Sequence, residues 1–335
     1  MEKNEVESQV GTDVNQVQIL SLSKIHGQRK VTDLLRVNLD AYFQSRQTGN
    51  PSTFGPVLLA GPPGTGKTLT AKAIHAELGN LDLIETNGEM ISNTNELISI
   101  LLSATEHSTV FVDEAQGIGP RSSHLWLTAL TEKVVYVPGR SSSKSKRAIP
   151  LENFTTIMAT THEYCLSEAL RNRMRIYCRF ERYALEDLIE IIRQRALALR
   201  WEVESEEVLV EIARRSKKTP RIALNRNLQM CWNVCSAQGR QMITMHDLNQ
   251  AFSLLDICPF GLDELERDYL TILRENGPTA LNVIASKLAL PAQTIRAVLE
   301  PYLLMEGLIS KEKNSHRVLT PKAEEHLKRL DEEGG

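Results

Sequence analysis

The chain has no apolar run long enough to cross a bilayer, and its polar N-terminus lacks the apolar core of a secretion signal. A transmembrane helix needs about 20 mainly apolar residues, so a membrane protein is excluded, and the missing signal core argues against secretion. The five cysteines are scattered, and none of them stands in a Cys-x-x-Cys pair. We therefore expect a protein of the reduced cytoplasm.

An excess of basic charge is also missing, since 39 lysines and arginines stand against 42 aspartates and glutamates. The chain as a whole does not attract nucleic acid, so any such partner would have to meet local basic patches. The 41% of hydrophobic residues are ordinary for a globular protein, and a length of 335 residues suits two or three domains.

The pattern of apolar runs predicts that the first domain of the chain is an α/β domain. Between residues 54 and 161, short apolar runs alternate with helical patterns, which is typical of a parallel sheet covered by helices. An apolar patch, a Pro138-Gly139 turn and a basic Ser-rich loop predict a β-hairpin inserted within 128–150. The expected strands cover 56–60, 83–86, 110–112 and 155–160, and the expected helices cover 69–78 and 97–104.

Two further domains are predicted after it. From residue 185 to residue 255 the periodicity is helical throughout, which indicates a small all-α domain. Three more amphipathic helices and a short hairpin follow a connector with Pro259 and Gly261, and this is the order of a winged helix. The predicted boundaries are 1–20 for a flexible N-terminal arm, 21–182 for the α/β domain, 183–256 for the all-α domain and 257–330 for the winged helix.

A phosphate-binding loop follows the first predicted strand. Its glycines let backbone N–H groups surround phosphate oxygens, and the start of the next helix adds a favourable potential for anions. We expect Lys67 to neutralise the β- and γ-phosphates of ATP, and the Thr68 hydroxyl to hold Mg²⁺. The predicted nucleotide-binding residues in this loop are Gly61, Pro62, Pro63, Gly64, Thr65, Gly66, Lys67 and Thr68.

Two carboxylates follow the strand at 110–112. We expect Asp113 to ligate Mg²⁺ together with Thr68, and Glu114 to orient and deprotonate the attacking water. An Asp-Glu pair after a strand is by itself an ordinary solvated loop, but its place about 45 residues after the phosphate loop favours catalysis. The two motifs together predict an ATP hydrolase.

These motifs are those of AAA+ ATPases, and the residues beyond them resemble the RuvB family of Holliday junction motors. FTTIMATT at 154–161 and LRNRM at 170–174 are similar to the family's threonine sensor and arginine finger, and KTPRIA at 218–223 is similar to its second sensor. In the last third, GLDELERDYL (261–270), EPYLLMEG (300–307) and TPKAEEHL (320–327) look like the family's winged helix. The resemblance runs from about residue 26 to residue 326.

The resemblance implies roles for four more residues around ATP. Thr161 would sense the γ-phosphate, and Arg173 would reach into the site of a neighbouring subunit as a catalytic finger. Arg221 would project from a helix N-terminus onto the nucleotide. Tyr183 stands where a tyrosine lines the family's adenine pocket, although it also fits a core position.

The resemblance also implies partners: a homo-hexameric ring around duplex DNA, loaded by a RuvA-type protein, which drives branch migration of four-way junctions in recombination and repair. The patch of Val134, Val135, Tyr136 and Val137 matches the element that docks on RuvA, and folding of the patch onto its own sheet is the open alternative. The candidate DNA contacts are Arg296, Lys311, Lys313, His316 and Arg317, with Lys144, Lys146 and Arg147 of the hairpin as a second patch.

The chain departs from the family in three places. Ala115-Gln116 stand where the family usually has Ile-His, Ile25-His26 replace an Arg-Pro lead-in, and the wing tip lacks the family's arginines and glycines. Two hypotheses therefore stay open. One is an ATP-driven DNA motor, and the other is an ATP-gated switch or remodeller that assembles on DNA or another partner without moving strands.

Overall fold

The computed structural model describes residues 10–49, 53–138, 146–312 and 314–333. It divides into two compact units. The sheet unit comprises Val17–Asp187, and the helical unit comprises the segment up to Gln16 together with Leu188–Gly335. Among the described residues, every helix is too short or too polar to traverse a bilayer.

A five-stranded parallel sheet forms the centre of the sheet unit. The strands described in this unit are β1 (Val57–Ala60), β2 (Asp82–Asn87), β3 (Ser108–Asp113), β4 (Val134–Pro138), β5 (Lys146–Pro150), β6 (Thr155–Thr160) and β7 (Ile176–Arg179). The sheet has the order β2-β3-β6-β1-β7, and every neighbouring pair in it is parallel. The predicted parallel α/β sheet is therefore confirmed.

Helices cover both faces of this sheet. They are α1 (Arg29–Gln47), α2 (Lys67–Leu78), α3 (Thr94–Ser103), α4 (Pro120–Glu132) and α5 (Glu168–Arg171). The next helix, α6 (Leu185–Leu199), begins in the sheet unit and continues into the helical unit. Successive side chains of a strand point to opposite faces. Val57 and Leu59 of β1 accordingly pack in one apolar cluster with α1 and α2, whereas Leu58 packs in a second cluster with α3 and α4.

The inserted hairpin is formed by β4 and β5, which pair antiparallel. Val135 is buried and Val137 packs beside it against the apolar cluster that contains Leu58. Tyr136 is 44% exposed, and its hydroxyl donates to Glu132 at 2.9 Å. The predicted apolar patch is thus divided, because Val135 and Val137 fold onto their own unit while the Tyr136 ring faces outward.

The all-α part of the helical unit follows α6. It contains α7 (Glu206–Arg214), a π-helix (Ile222–Leu228) that runs directly into α8 (Gln229–Ala237), and α9 (Met245–Leu254), together with the two-residue parallel strands β8 (Glu202–Val203) and β9 (Met242–Ile243). Trp201 and Trp232 stack in its core, with ring centroids 4.5 Å apart and an interplanar angle of 6°. The expected small helical domain is therefore present.

A winged helix completes the helical unit. Its elements are α10 (Glu264–Asn276), α11 (Leu281–Lys287), α12 (Ala292–Thr294), a π-helix (Ile295–Leu299), α13 (Glu300–Met305), β10 (Ile309–Lys311), β11 (Arg317–Leu319) and α14 (Pro321–Glu333). Tyr269, Ile284 and Leu303 are fully buried in a core of their own. The Lys217 ammonium contacts Asp263 at 3.0 Å and Glu266 at 2.6 Å, which fixes the start of α10 to the all-α part.

The described part of the N-terminal segment, from residue 10 onward, differs from the flexible arm that the sequence predicts. The carbonyl of Gly11 accepts a hydrogen bond from the Trp201 indole at 2.6 Å. Val14 is 1% exposed, its carbonyl accepts from Arg195, and its N–H donates to Gln229 at 2.8 Å. These partners lie about 180–215 residues along the chain, so the polar composition of the segment gives no local sign of them.

Candidate active site

The phosphate-binding loop connects β1 to α2 in the position that the sequence predicts. Gly61, Gly64 and Gly66 have φ values of 152°, 75° and 96°, a region that residues with a Cβ rarely adopt. A Cβ on Gly61 would also lie 2.5 Å from the carbonyl oxygen of Phe180. The loop conformation therefore requires glycine at these places, and it leads into the N-terminus of a 12-residue helix.

Lys67 and Thr68 are the first two residues of α2. The Lys67 side chain is buried beneath the loop, and its ammonium donates to the carbonyls of Gly61 and Pro62 at 2.8 Å each. The Thr68 hydroxyl donates to Asp113 Oδ2 at 2.8 Å. A hydroxyl oxygen and a carboxylate thus converge beside the loop, and such hard oxygen ligands fit Mg²⁺.

Glu114 follows β3 in a left-handed conformation, with φ 44° and ψ 47°. Its N–H donates to Asp113 Oδ1 at 2.9 Å. The Gly88 N–H donates to the Asp113 carbonyl at 2.9 Å, and a Cβ on Gly88 would lie only 2.4 Å from the Glu114 carbonyl oxygen. The turn after β2 therefore packs tightly against Glu114 and holds its backbone beside the end of the sheet.

Gln116 connects the end of β3 with the end of β6. Its Nε2 donates to Glu114 Oε2 and, at 3.2 Å, to Thr161 Oγ1. Its Oε1 accepts from the Thr160 hydroxyl at 2.6 Å and from the Thr161 N–H at 3.3 Å. Sequence reasoning noted Gln116 only as a departure from the family, because nothing near it in the sequence reveals partners 44 and 45 residues away.

Thr161 lies just beyond β6, facing the predicted base. Its hydroxyl is 3.5 Å from Glu114 Oε2 and 2.9 Å from His162 Nδ1. The carboxyl ends of neighbouring parallel strands meet at one edge of a sheet, and here β1, β3 and β6 do so. The structure therefore brings together the phosphate-binding loop, Asp113, Glu114 and Thr161.

Tyr183 is buried behind the phosphate-binding loop. Its hydroxyl donates to the Thr65 carbonyl at 2.9 Å, and burial raises the pKa of this phenol to about 12. A Cβ on Gly27, whose φ is 74°, would lie 2.6 Å from the Tyr183 ring. The neighbouring Gln28 donates to the Glu181 carbonyl at 2.8 Å. Tyr183 thus braces the loop, and the chain around residues 27–28 packs on its ring.

The two arginines after β6 have different surroundings. Arg171 is half-buried, with its guanidinium 5.3 Å from the centre of the Tyr164 ring. Arg173 is exposed and lines an open cleft of about 590 Å³ with His124 and Glu132. Arg173 is therefore presented to the outside of the sheet unit. In the helical unit, Arg221 is exposed and directly precedes the π-helix, after Pro220.

One predicted DNA contact needs correction. Arg317 is only 5% exposed, and its guanidinium donates to both carboxylate oxygens of Glu300, at 2.6 and 3.3 Å. Glu300 is itself buried, so the pair belongs to the core of the winged helix and Arg317 is not offered to phosphate. The polar wing-tip sequence suggested a solvated arginine, but the register of β11 turns this side chain inward.

The other candidate DNA contacts differ in exposure. Arg296 is exposed and His316 is half-buried, and the Lys311 ammonium is 2.9 Å from Glu300 with 40% of its side chain exposed. Arg147 of the hairpin is exposed. Lys313 and Lys144 lie outside the described residues, as does the side chain of Lys146.

Three family descriptions match consecutive parts of the chain. Residues 18–180 match "Holliday junction DNA helicase RuvB P-loop domain", residues 183–258 match "RuvB AAA lid domain", and residues 259–328 match "RuvB C-terminal winged helix domain".

Whole proteins agree with these matches. The "Holliday junction branch migration complex subunit RuvB" of Kosmotoga olearia is 33% identical over 310 residues, which cover 91% of this chain and 88% of that protein. The solved structure of the Thermotoga maritima RuvB Holliday junction branch migration motor is 30% identical, with a TM-score of 0.76 over 93% of this chain and 98% of that one. A point mutant of the same Thermotoga protein gives a TM-score of 0.78 at 30% identity, over 93% of this chain and 99% of that chain.

Proposed function

Because the chain belongs to the RuvB family, we propose that it is an ATP-driven motor that moves four-way DNA junctions by branch migration in recombination and repair. The observation that carries the proposal is that one chain contains both a complete ATP site and a winged helix. A clamp loader shares the ATP motifs but has no such module. We propose the same division of the chain that the sequence predicts, into an ATPase domain, a lid and a winged helix.

In this proposal ATP is hydrolysed at the sheet edge. Lys67 and the loop N–H groups bind the phosphates, and Thr68 and Asp113 hold Mg²⁺, which when bound neutralises developing phosphate charge. Glu114 orients the attacking water and takes its proton. Thr161, at the end of β6, faces the same edge and senses the γ-phosphate. The position of Asp113 beside Thr68 supports these roles.

The remaining roles concern the assembly. We place Arg173 in the active site of a neighbouring subunit of a homo-hexameric ring, which fits its exposure at the surface of the sheet unit. We propose Arg221 as the second sensor of the nucleotide. The outward ring of Tyr136 is the apolar group that the hairpin offers to a RuvA-type protein.

The test compares ATP hydrolysis on a four-way junction and on linear duplex of equal composition, each with and without a RuvA-type protein. A motor shows the largest rate with the junction and the RuvA-type protein together. It also converts a labelled junction to duplex products only when ATP is hydrolysed. ATP-dependent binding without any such conversion would instead support the ATP-gated switch.

Because the Glu300–Arg317 pair is buried, we expect substitution of Arg317 to lower stability, whereas substitution of other basic residues of the winged helix should weaken DNA binding. Burial raises the pKa of Glu300, but the hydrogen bonds from Arg317 and Lys311 outweigh it and leave this pKa below its usual value. Arg317→Ala removes the guanidinium and leaves the buried carboxylate with Lys311 and the Tyr269 hydroxyl. We expect it to destabilise the winged helix by about 3 kcal/mol, the low end of the cost of breaking a buried pair. Hydrogen exchange of winged-helix amides in the full chain measures this loss.

Arg296→Ala combined with Lys313→Ala should leave that exchange unchanged. It should weaken duplex binding evenly across sequences and lower the salt slope by about 2, since each phosphate contact contributes about 0.9. Normal amide protection in Arg317→Ala together with a lowered salt slope would show that Arg317 contacts DNA after all.

A further inference from the structure

Gln116 uses both ends of its side-chain amide on partners from two different strands. It lies in the 3₁₀ turn Ala115–Gly117, directly after β3. On one side the amide meets the carboxylate of Glu114, and on the other it meets Thr160 and Thr161 at the end of β6. Gln116 is therefore a bridge from the proposed base to the proposed sensor.

The partners fix the orientation of this amide. A backbone N–H can only donate, so the atom that faces the Thr161 N–H at 3.3 Å is the oxygen. The Thr160 hydroxyl accepts from the His162 N–H at 3.0 Å, which leaves its own hydrogen to donate to the same amide oxygen. The NH₂ group of Gln116 must then point toward Glu114, where it donates to a carboxylate.

Glu114 needs such a restraint. Glu114 is exposed, and the side chain of an exposed glutamate samples several rotamers unless a contact restrains it. Placing a base correctly matters, because an error of about 1 Å in a reacting geometry costs about 100-fold in rate. Thr160 is fully buried, so the far end of the bridge is rigid.

We propose that Gln116 is a positioning residue for ATP hydrolysis, which ties the Glu114 carboxylate to Thr160 and Thr161 so that base and sensor move together. The proposal rests on the hydrolytic role of Glu114 in the proposed function. A shift of the end of β6 would then be passed to the base through one amide. Gln116 touches neither water nor phosphate in this role.

The first test is a set of Gln116 variants assayed for ATP hydrolysis. Gln116→Ala should lower kcat about 10-fold or more, the effect of losing a hydrogen bond to a charged group, while KM and ATP binding stay unchanged. Gln116→His retains an N–H donor and should recover part of the rate. Gln116→Glu has the same size but replaces the donating NH₂ group with a carboxylate oxygen that repels Glu114, so it should lower kcat at least as much as Gln116→Ala.

The second test asks whether the far end of the bridge acts through Gln116. Thr160→Val removes the hydroxyl but keeps the shape of a buried side chain, and it should lower kcat in the wild-type background. In the Gln116→Ala background it should lower kcat less than in the wild-type background, because the bridge is already broken and only the hydrogen bond from the His162 N–H remains to be lost. Thr156→Val, buried on the same strand away from its carboxyl end, is the matched control and should leave kcat unchanged.

Several results would overturn the proposal. They are an unchanged or raised kcat in Gln116→Ala, a raised KM with normal kcat, or additive effects of Gln116→Ala and Thr160→Val. Basal hydrolysis that four-way junction DNA does not stimulate would overturn the proposed motor but leave the role of Gln116 measurable. A wild-type chain without basal hydrolysis would overturn both.

Discussion

Glu114→Gln is expected to bind ATP as tightly as the wild-type chain and to hydrolyse it at least about 100-fold more slowly. The substitution keeps the size of the side chain but removes the carboxylate that accepts the proton of the attacking water, and a positioned base contributes about 10²–10⁴ in rate. The phosphate-binding loop and the Thr68–Asp113 contact lie outside the change. Filter binding of ATP and release of phosphate measure the two halves of this expectation separately.

Glu89→Gln is the matched control for this experiment. Glu89 is an exposed carboxylate in the turn after β2, next to Gly88, whose backbone packs under Glu114. Its neutralisation changes the local charge by the same amount without touching the proposed base, so turnover should remain normal. Equal losses in both variants would mean that Glu114 acts through its charge alone, and full turnover in Glu114→Gln would remove it from the mechanism.

Arg173→Ala is expected to abolish hydrolysis while each subunit still binds ATP. An arginine supplied across a subunit interface stabilises the charge of the phosphoryl-transfer transition state and is worth about 10³–10⁵ in rate. The exposed position of Arg173 beside an open cleft is what such a role requires. Arg175→Ala, which removes another exposed arginine two residues along, should leave hydrolysis intact.

Mixing two inactive variants distinguishes an active site shared between subunits from one formed within a single subunit. Subunits with Arg173→Ala keep an intact loop, and subunits with Lys67→Ala keep an intact finger. Where the two kinds adjoin in a mixed ring, one complete site is restored, so activity should return although each variant alone is inactive. Failure of the mixture to recover activity, together with a rate per subunit that does not depend on protein concentration, would contradict a finger shared between subunits.

The sequence predicted best those parts of the molecule whose structure depends on residues close together in the chain. The phosphate-binding loop is one continuous segment whose glycines dictate its backbone, so its position followed from spacing alone. The four strands predicted around it were confirmed, with each end within two residues of its predicted position. By contrast, β7 was not predicted, because four residues are too few to show a hydrophobic period. Its pairing with β1 is seen only in the folded sheet.

What the sequence did not reveal depends on partners that are distant along the chain. Arg317 reads as a surface residue of a polar turn, and only the folded winged helix sets it against Glu300, 17 positions earlier. Residues 11–16 look like an arm in the sequence because the partners that hold Gly11 and Val14 in place are distant residues of the lid. Gln116 is a similar case, because its hydrogen-bond partners Thr160 and Thr161 lie at the end of a different strand.

The stacked pair of Trp201 and Trp232 gives this chain an optical property. The chain has three tryptophans, and the third, Trp126, is buried in the sheet unit. Two stacked indoles in contact couple their electronic transitions, so we expect this pair to contribute to the near-ultraviolet circular dichroism of the chain. Since the Trp201 indole also donates to the Gly11 carbonyl, release of the N-terminal segment would alter this signal. Circular dichroism of the unlabelled chain can therefore report whether the N-terminal segment is bound to the lid.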